Sequence, residues 1–503
     1  MNSQRDASEG ALSLDIIHKD VVIIGTGFGG LGMGIKLKQS GNDDFVILEK
    51  GKSSGGCWRE NSYPGAACDV PSLLYSFSFE PKHDWTRAFA PQKEIEGYLK
   101  HCENKYQLSS HIYFNSEVVS AQFNESLGRW LLTTSNGKKI SARIFVSACG
   151  QLSLPAMPQI TGMENFNGKV MHSAHWDHDF SLTNKKVAVI GTGASAIQFV
   201  PEVAKQVKSL HVLQRSAPYI LPKPDRAYSV FEQSLLKIIP GFQKLRRLGV
   251  YVQYEARVLG FSSLQFIMNH AKKQCASFLK KTISDPVLRE KLTPNYSMGC
   301  KRILISNNYL AAFNQENVSL ETCAIEKINE KGIVLKDGRI LEVDTIIYGT
   351  GFKATEFLTP MTVTGLQGKV LNEQWQKGAE AYLGITVKDF PNFFMLYGPN
   401  TNLGHNSIVY MLESQIRYTL KAIKALNEAP KVKYLNIREA KQSVFNNDLQ
   451  KKLNNTVWQK GCKSWYINNE GKNTVNWPDF TFKYRHKTRS INLKDYHLVK
   501  KAS

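Results

Sequence analysis

The chain has 503 residues, 42% hydrophobic and 21% charged, an ordinary globular balance with room for two or three domains and a large core. Its 64 Lys and Arg against 43 Asp and Glu leave a formal net charge of +21, which raises nucleic acid or an anionic membrane as a partner. No RNA- or DNA-binding signature accompanies the basic residues, so nucleic acid is excluded, and no run of about 20 clean apolar residues exists to span a bilayer.

The basic residues are spread along the sequence, with denser patches from Lys272 to Lys301 and from Lys483 to Lys501. They read chiefly as a soluble, anion-attracting background; association with a membrane surface through the tail is the less favoured reading. Eight cysteines stand at 57, 68, 102, 149, 275, 300, 323 and 462, with no CxxC pair and no His/Cys metal spacing. This predicts a reduced, cytoplasmic chain without a metal site. Arg5, Asp6 and Glu9 make the N-terminus polar, unlike a signal peptide.

In chain order, Val21 to Ile24 predicts a strand that turns into a helix reaching about Gln39, followed by a strand from Phe45 to Leu48 that ends in Glu49. The turn between them carries Gly25, Gly27 and Gly30, the GxGxxG spacing that lets a helix N-terminus hold a pyrophosphate. Arg143 to Ala148 predicts another strand, stopped by Gly150. Pro155 and Pro158 then mark a linker.

A second turn follows in VAVIGTGASA, from Val187, with Gly191, Gly193 and Ser195. A strand from Leu210 to Leu213 comes next, and from about Tyr228 to Lys291 the pattern is helical and basic, which predicts an inserted helical subdomain. Strands resume at Gly332 to Leu335 and Val343 to Tyr348. From about Pro391 the chain is expected to fold back onto the first unit. The fold class is therefore α/β, with two Rossmann-like dinucleotide-binding domains and a helical insertion. Its segments are expected at 1–154 and 385–503 for the first domain, 155–227 and 296–384 for the second, and 228–295 for the insertion.

The residue ending the second strand of each unit faces the adenosine ribose. Glu49 there accepts free ribose hydroxyls, as in FAD or NAD. The second unit offers Gln214 and then Arg215, so a repelling carboxylate is replaced by a cation for a 2′-phosphate, and NADPH is favoured. Two such turns imply electron traffic between two dinucleotides. A thiol relay of the glutathione reductase kind needs CxxxxC, and Cys57 and Cys68 are too far apart for it.

Just before the second turn lies FNGKVMHSAHWD. It resembles the fingerprint FxGxxxHxxxW(P/D) of the type I Baeyer-Villiger monooxygenases, matching at Phe166, Gly168, His172, Trp176 and Asp177. The resemblance covers nearly the whole chain. It implies FAD and NADPH as cofactors and O2 as co-substrate, with one oxygen atom inserted next to a ketone carbonyl through a C4a-peroxyflavin and sulfoxidation as a side activity. GGCWRENSYPGAACD, which includes Trp58 and Asp69, is similar to the family's flavin loop. LYGPNTNLGHNS, which includes Asn402, is similar to its second flavin segment.

GCKRILISNNY resembles the family's arginine segment and places Arg302 at the catalytic position, with Asp69 as the carboxylate that orients it. By the same resemblance Lys301 makes a second contact to the 2′-phosphate, and Trp465 in GCKSWY closes over the nicotinamide. An arginine suits this role because its high pKa lets it stabilise an anion without protonating it. His172 and Trp176 are expected to position other groups.

A flavin-containing monooxygenase acting on N, S or C centres is the alternative, disfavoured by Trp176, Asp177 and Arg302. A flavoprotein that only senses redox state or binds membranes is the reading from another class. The ketone and the oligomeric state are not specified by the sequence.

Overall fold

The computed structural model describes residues 16–501 apart from 263, 265, 460, 461 and 463. The polar N-terminal residues Arg5, Asp6 and Glu9 lie outside the described residues.

Two sheets organise the chain, each with a parallel core. In the first, strand Ile17–Ile24 is flanked in parallel by Phe45–Leu48 and Lys139–Ser147. Pairing of Ile24 with both Leu48 and Ser147 brings the three strands to one level edge, so the Gly25 turn, Glu49 and Cys149 emerge together. Val21, Val22 and Ile23 are fully buried there, which is why the run is uniformly apolar and does not alternate.

The second sheet is all parallel, in the order Val318–Glu321, Ser209–Leu213, Lys186–Ile190, Thr345–Tyr348, Lys169–His172. Its register sets Ile190 opposite Leu213 and Tyr348. The Gly191 turn, Gln214 and Gly349 therefore share an edge, as their counterparts do in the first sheet.

The helices that follow the two turns, Phe28–Gln39 and Ala196–Ala204, are nearly fully buried. Each turn needs its glycine. Gly25 has φ +97°, and a Cβ on Gly30 would lie 1.8 Å from the Gly25 carbonyl oxygen. Gly191 repeats this at φ +112°, with its Cβ position 2.4 Å from the Gly349 oxygen. The helix Ile408–Glu428 packs on Phe28–Gln39, so the chain does return to the first unit.

Three observations depart from the sequence reading. The first sheet is mixed, because Arg129–Thr134 runs antiparallel to both of its neighbours, Val118–Asn124 and Lys139–Ser147. Strand Thr362–Thr364 already pairs with this sheet, ahead of the return expected at 385. The chain is also not fully reduced: Cys300 and Cys462 form a disulfide across Cα positions 6.2 Å apart. Sequence spacing conceals such a pair, because 162 residues separate its members and only folding apposes them.

The region expected as an inserted subdomain is helical, from Val230–Ile238 through Pro286–Lys291. The basic tail is folded into the body: Tyr496–Lys500 pairs antiparallel with Val432–Ile437, and Lys483 Nζ pairs with Asp479 at 2.9 Å.

Candidate active site

Arg302 sits two residues before the short strand Leu304–Ile305, which pairs with Ile220–Leu221. Asp69 comes from the loop after Trp58, against the first sheet. The fold joins them: Arg302 Nε and Nη2 donate to Asp69 Oδ2 at 3.0 and 2.5 Å. About 30% of each side chain remains open, so the pair is reachable from solvent. Asp69 beside it raises the Arg302 pKa above even its usual value. Burial alone would raise Asp69, but the Arg302 charge and its hydrogen bonds hold the carboxyl below its ordinary range. Both groups therefore stay charged at neutral pH.

A second contact fixes where this pair lies. Gln198, on the helix after the second turn, donates from Nε2 to Ala67 O at 2.9 Å and accepts from Tyr63 OH at 2.9 Å. Ala67 is two residues from Asp69, so the pair lies where the two nucleotide units meet. Sequence reasoning missed Gln198, which looks like any polar residue on an amphipathic helix. It also missed Tyr397 and Tyr466, which lie within electrostatic reach of Arg302, and Lys223, which is in similar reach of Asp69. Tyr397 and Tyr466 lie inside segments already marked, LYGPNTNLGHNS and GCKSWY, and Lys223 has no such signal.

The ribose positions differ. Glu49 is 3% exposed and accepts from Thr26 N, Thr26 Oγ1, Gly51 N and Arg59 Nη1 at 3.0, 2.6, 2.8 and 2.8 Å. Burial would raise its pKa, yet Thr26, Arg59 and Gly51 hold it lowered and ionised. Arg215 is exposed, and Gln214 donates Nε2 to Lys291 O at 2.8 Å while its Oε1 is buried without a partner. Lys301 Nζ donates to Ser216 Oγ at 2.9 Å. Burial and then the neighbouring Arg215 lower the Lys301 pKa, and neither cation makes an ion pair among the described residues. Two adjacent, uncompensated cations have the charge that an anion needs.

Trp58 donates Nε1 to Tyr75 OH at 3.2 Å, and Tyr75 meets the Phe28 ring edge-on at 5.2 Å. Asn402 accepts from Tyr397 OH at 2.7 Å and donates to Asn476 Oδ1 at 3.0 Å. Trp465 is 42% exposed, and its ring lies 4.4 Å from that of Tyr466. It is three residues from the disulfide, which ties its loop to the neighbour of Lys301 and Arg302. Gly461 and Lys463 of the same segment lie outside the described residues. A pocket lined by Ser147, Cys149, Leu396, Tyr397 and Gly398 opens at the first sheet's turn edge.

The fingerprint packs on the second sheet, and none of its side chains bonds to Arg302 or Asp69. Phe166 crowds Gly168, whose Cβ position is 2.4 Å from both the Phe166 ring and Asp344 O. His172 pairs with Tyr348 in the edge strand, accepts from Ala174 N at 3.1 Å and leaves Nε2 buried without a partner. Burial, then the nearby His175, lowers its pKa, so it is neutral. Trp176 meets the Phe199 ring at 5.5 Å, and Asp177 pairs with Lys169. No metal cluster occurs among the described residues.

Two dinucleotide turns converging on one arginine–carboxylate pair define a nucleotide-dependent oxidoreductase. Residues 22–273 match a family model described as pyridine nucleotide-disulphide oxidoreductase, although Cys57 and Cys68 are separate free thiols here. A Baeyer-Villiger monooxygenase of Pseudomonas aeruginosa is 48% identical, covering 96% of this chain and 92% of its own length. One from Streptomyces coelicolor is 41% identical, covering 96% and 93%. Among solved structures, an oxidised steroid monooxygenase bound to NADP superposes with TM-score 0.86 at 28% identity, over 96% of this chain and 100% of that one. OTEMO in complex with FAD and NADP superposes with TM-score 0.87 at 25% identity, over 96% and 99%. The chain belongs to that pyridine nucleotide family and, by its relatives, to the Baeyer-Villiger monooxygenases, which are FAD- and NADPH-dependent flavoproteins.

Proposed function

We propose that this enzyme inserts one oxygen atom from O2 beside the carbonyl of a small-molecule ketone, giving an ester or lactone, and oxidises sulfides as a side activity. The observation that carries the reading is the open Arg302–Asp69 pair at the junction of the two nucleotide units. FAD belongs on the first sheet and NADPH on the second. The bare backbone at Gly25, Gly27 and Gly30, where a side chain would fill the turn, fits one pyrophosphate. Gly191 and Gly193 offer the same to the other, with the Ser195 hydroxyl beside them. Glu49 fits ribose hydroxyls once Arg59 or the Thr26 hydroxyl yields its place. Arg215 and Lys301 fit the 2′-phosphate.

Bound FAD, reduced by NADPH, supplies oxygen in activated form. Arg302 stabilises the negative charge that develops beside it and keeps its own proton, because Asp69 raises an already high pKa. Asp69 fixes the guanidinium by accepting two of its N–H groups. Trp58 and Asn402 would border the flavin, and Trp465 would cover the nicotinamide. His172, neutral and buried, holds the backbone at Ala174, while Trp176 braces the helix that bears Gln198. A cytoplasmic setting, where NADPH is regenerated, fits this demand.

The test is incubation of the purified yellow protein with NADPH, O2 and linear, cyclic and aryl ketones, followed by gas chromatography. Esters or lactones are expected. N- or S-oxides without esters would favour the flavin-containing monooxygenase alternative, and NADPH consumption without any product would sink both.

A further inference from the structure

The helices Val230–Ile238 and Phe242–Ala256 of the insertion are anchored along one side. From the second helix, Gln243 Nε2 donates to Lys82 O at 2.7 Å, and Arg247 donates to Leu73 O and Ser76 O at 2.6 and 2.9 Å. Glu255 accepts from Asn406 Nδ2 and Thr481 N, both at 2.5 Å. These residues define its inner face.

On the opposite face Leu245, Leu248 and Val252 recur at i, i+3 and i+7, and they are 66%, 54% and 57% exposed. The preceding helix adds Val230, Phe231 and Ile238, each more than two thirds exposed. Scattered exposed apolar residues are normal, but a row of them at helical spacing marks a contact surface.

The surrounding charge identifies the partner. Between Val230 and Thr282 the only acids are Glu232 and Glu255. Glu232 is held by Arg226 at 2.6 Å and by its helix cap, and Glu255 is buried. Apart from Glu232, the exposed ionised side chains of the two helices, including Lys237, Lys244 and Arg246, are basic. An apolar stripe bordered mostly by cations matches an anionic bilayer interface, where the stripe enters the acyl boundary and the cations meet headgroups. A second copy of the chain would oppose positive charge to positive charge, and nucleic acid has no apolar counterpart for the stripe. No helix of the described residues is long and apolar enough to cross a membrane, so this contact lies on the surface.

We propose that the outer face of the helical insertion docks the enzyme on anionic membranes. The basic tail has no such row: its exposed apolar side chains, Phe482, Leu493 and Leu498, are scattered, and Lys483 is held by Asp479.

Full-length holoenzyme would be co-sedimented with vesicles of phosphatidylcholine alone and of phosphatidylcholine mixed with phosphatidylglycerol. Binding is expected only to the mixed vesicles, weakening as salt rises. The triple variant Leu245→Gln, Leu248→Gln, Val252→Gln should lower partitioning by about tenfold or more, while turnover of a water-soluble ketone is unchanged. Lys244→Glu with Arg246→Glu should also release the protein, whereas Lys500→Glu with Lys501→Glu should leave it bound. The proposal is overturned if wild-type protein ignores the mixed vesicles, if the triple variant binds as wild type does, or if this face instead mediates self-association without vesicle binding.

Discussion

The two nucleotide turns share a backbone and differ in what surrounds the ribose position. At the first, Glu49 is buried and its carboxylate is filled by Thr26, Gly51 and Arg59. At the second, the buried carboxylate is gone, Gln214 turns toward Lys291, and Arg215 and Lys301 stand together without a counter-charge. On the proposed function, one turn would accept from ribose hydroxyls and the other would receive a phosphate. On that reading the shared geometry would serve as the pyrophosphate cradle, and two or three side chains at a strand end would decide which nucleotide uses it.

The largest effect that would test this contrast is expected from Gly30→Ala. Its new Cβ would lie 1.8 Å from the Gly25 oxygen, a backbone clash that should cost about 4 kcal/mol or more. Purified protein should lack yellow colour, and full flavin content would detach FAD from the first turn. Arg302→Ala should keep flavin and NADPH oxidation while ester formation falls by about 10² to 10³. An unchanged ester rate would remove Arg302 from the chemistry.

Acid should loosen the flavin side. Burial, with the nearby Arg257 adding to it, lowers the His405 pKa to about 3, whereas the unfolded imidazole titrates near ~6.5. Across that window the unfolded chain binds a proton that the folded chain refuses, so stability falls as pH drops, by up to about 1.4 kcal/mol per pH unit. Thermal melts between pH 7 and 4 should show this slope, and His405→Gln should flatten it. A slope equally steep in the variant would place the acid sensitivity elsewhere.

Arg215→Ala should raise KM for NADPH by about tenfold, the loss of roughly one charge-assisted hydrogen bond, and leave KM for NADH unchanged. Equal losses for both nucleotides would erase the distinction between the turns. The smallest effect is expected from Asp177→Asn. Its partner Lys169 lies at the surface, and exposed pairs contribute little, so the melting temperature should not move measurably.

Much of this was legible because it is local. The strand Phe45–Leu48, the Gly25 and Gly191 turns, and the helices of the insertion follow from apolar runs, glycine spacing and periodicity within a few residues. The antiparallel strands Val118–Asn124 and Arg129–Thr134 were not anticipated, since a mixed sheet looks like a parallel one when only single strands are read. The disulfide contradicted the expectation of reduced cysteines for a similar reason: nothing near Cys300 announces Cys462.

By itself, the sequence determined two dinucleotide turns, the difference between Glu49 and Gln214–Arg215, and the fingerprint that carries the family resemblance, because each is written in residues close together in the chain. Tertiary structure decided that Asp69 meets Arg302, that Gln198 fastens one unit to the other beside them, and that Lys301 stands against Arg215. It also decided which insertion side chains face water, because helical periodicity defines a stripe but not what covers it. Those relations join segments that are up to 233 residues apart, and their distances are fixed only when both sheets and the chain between them pack together.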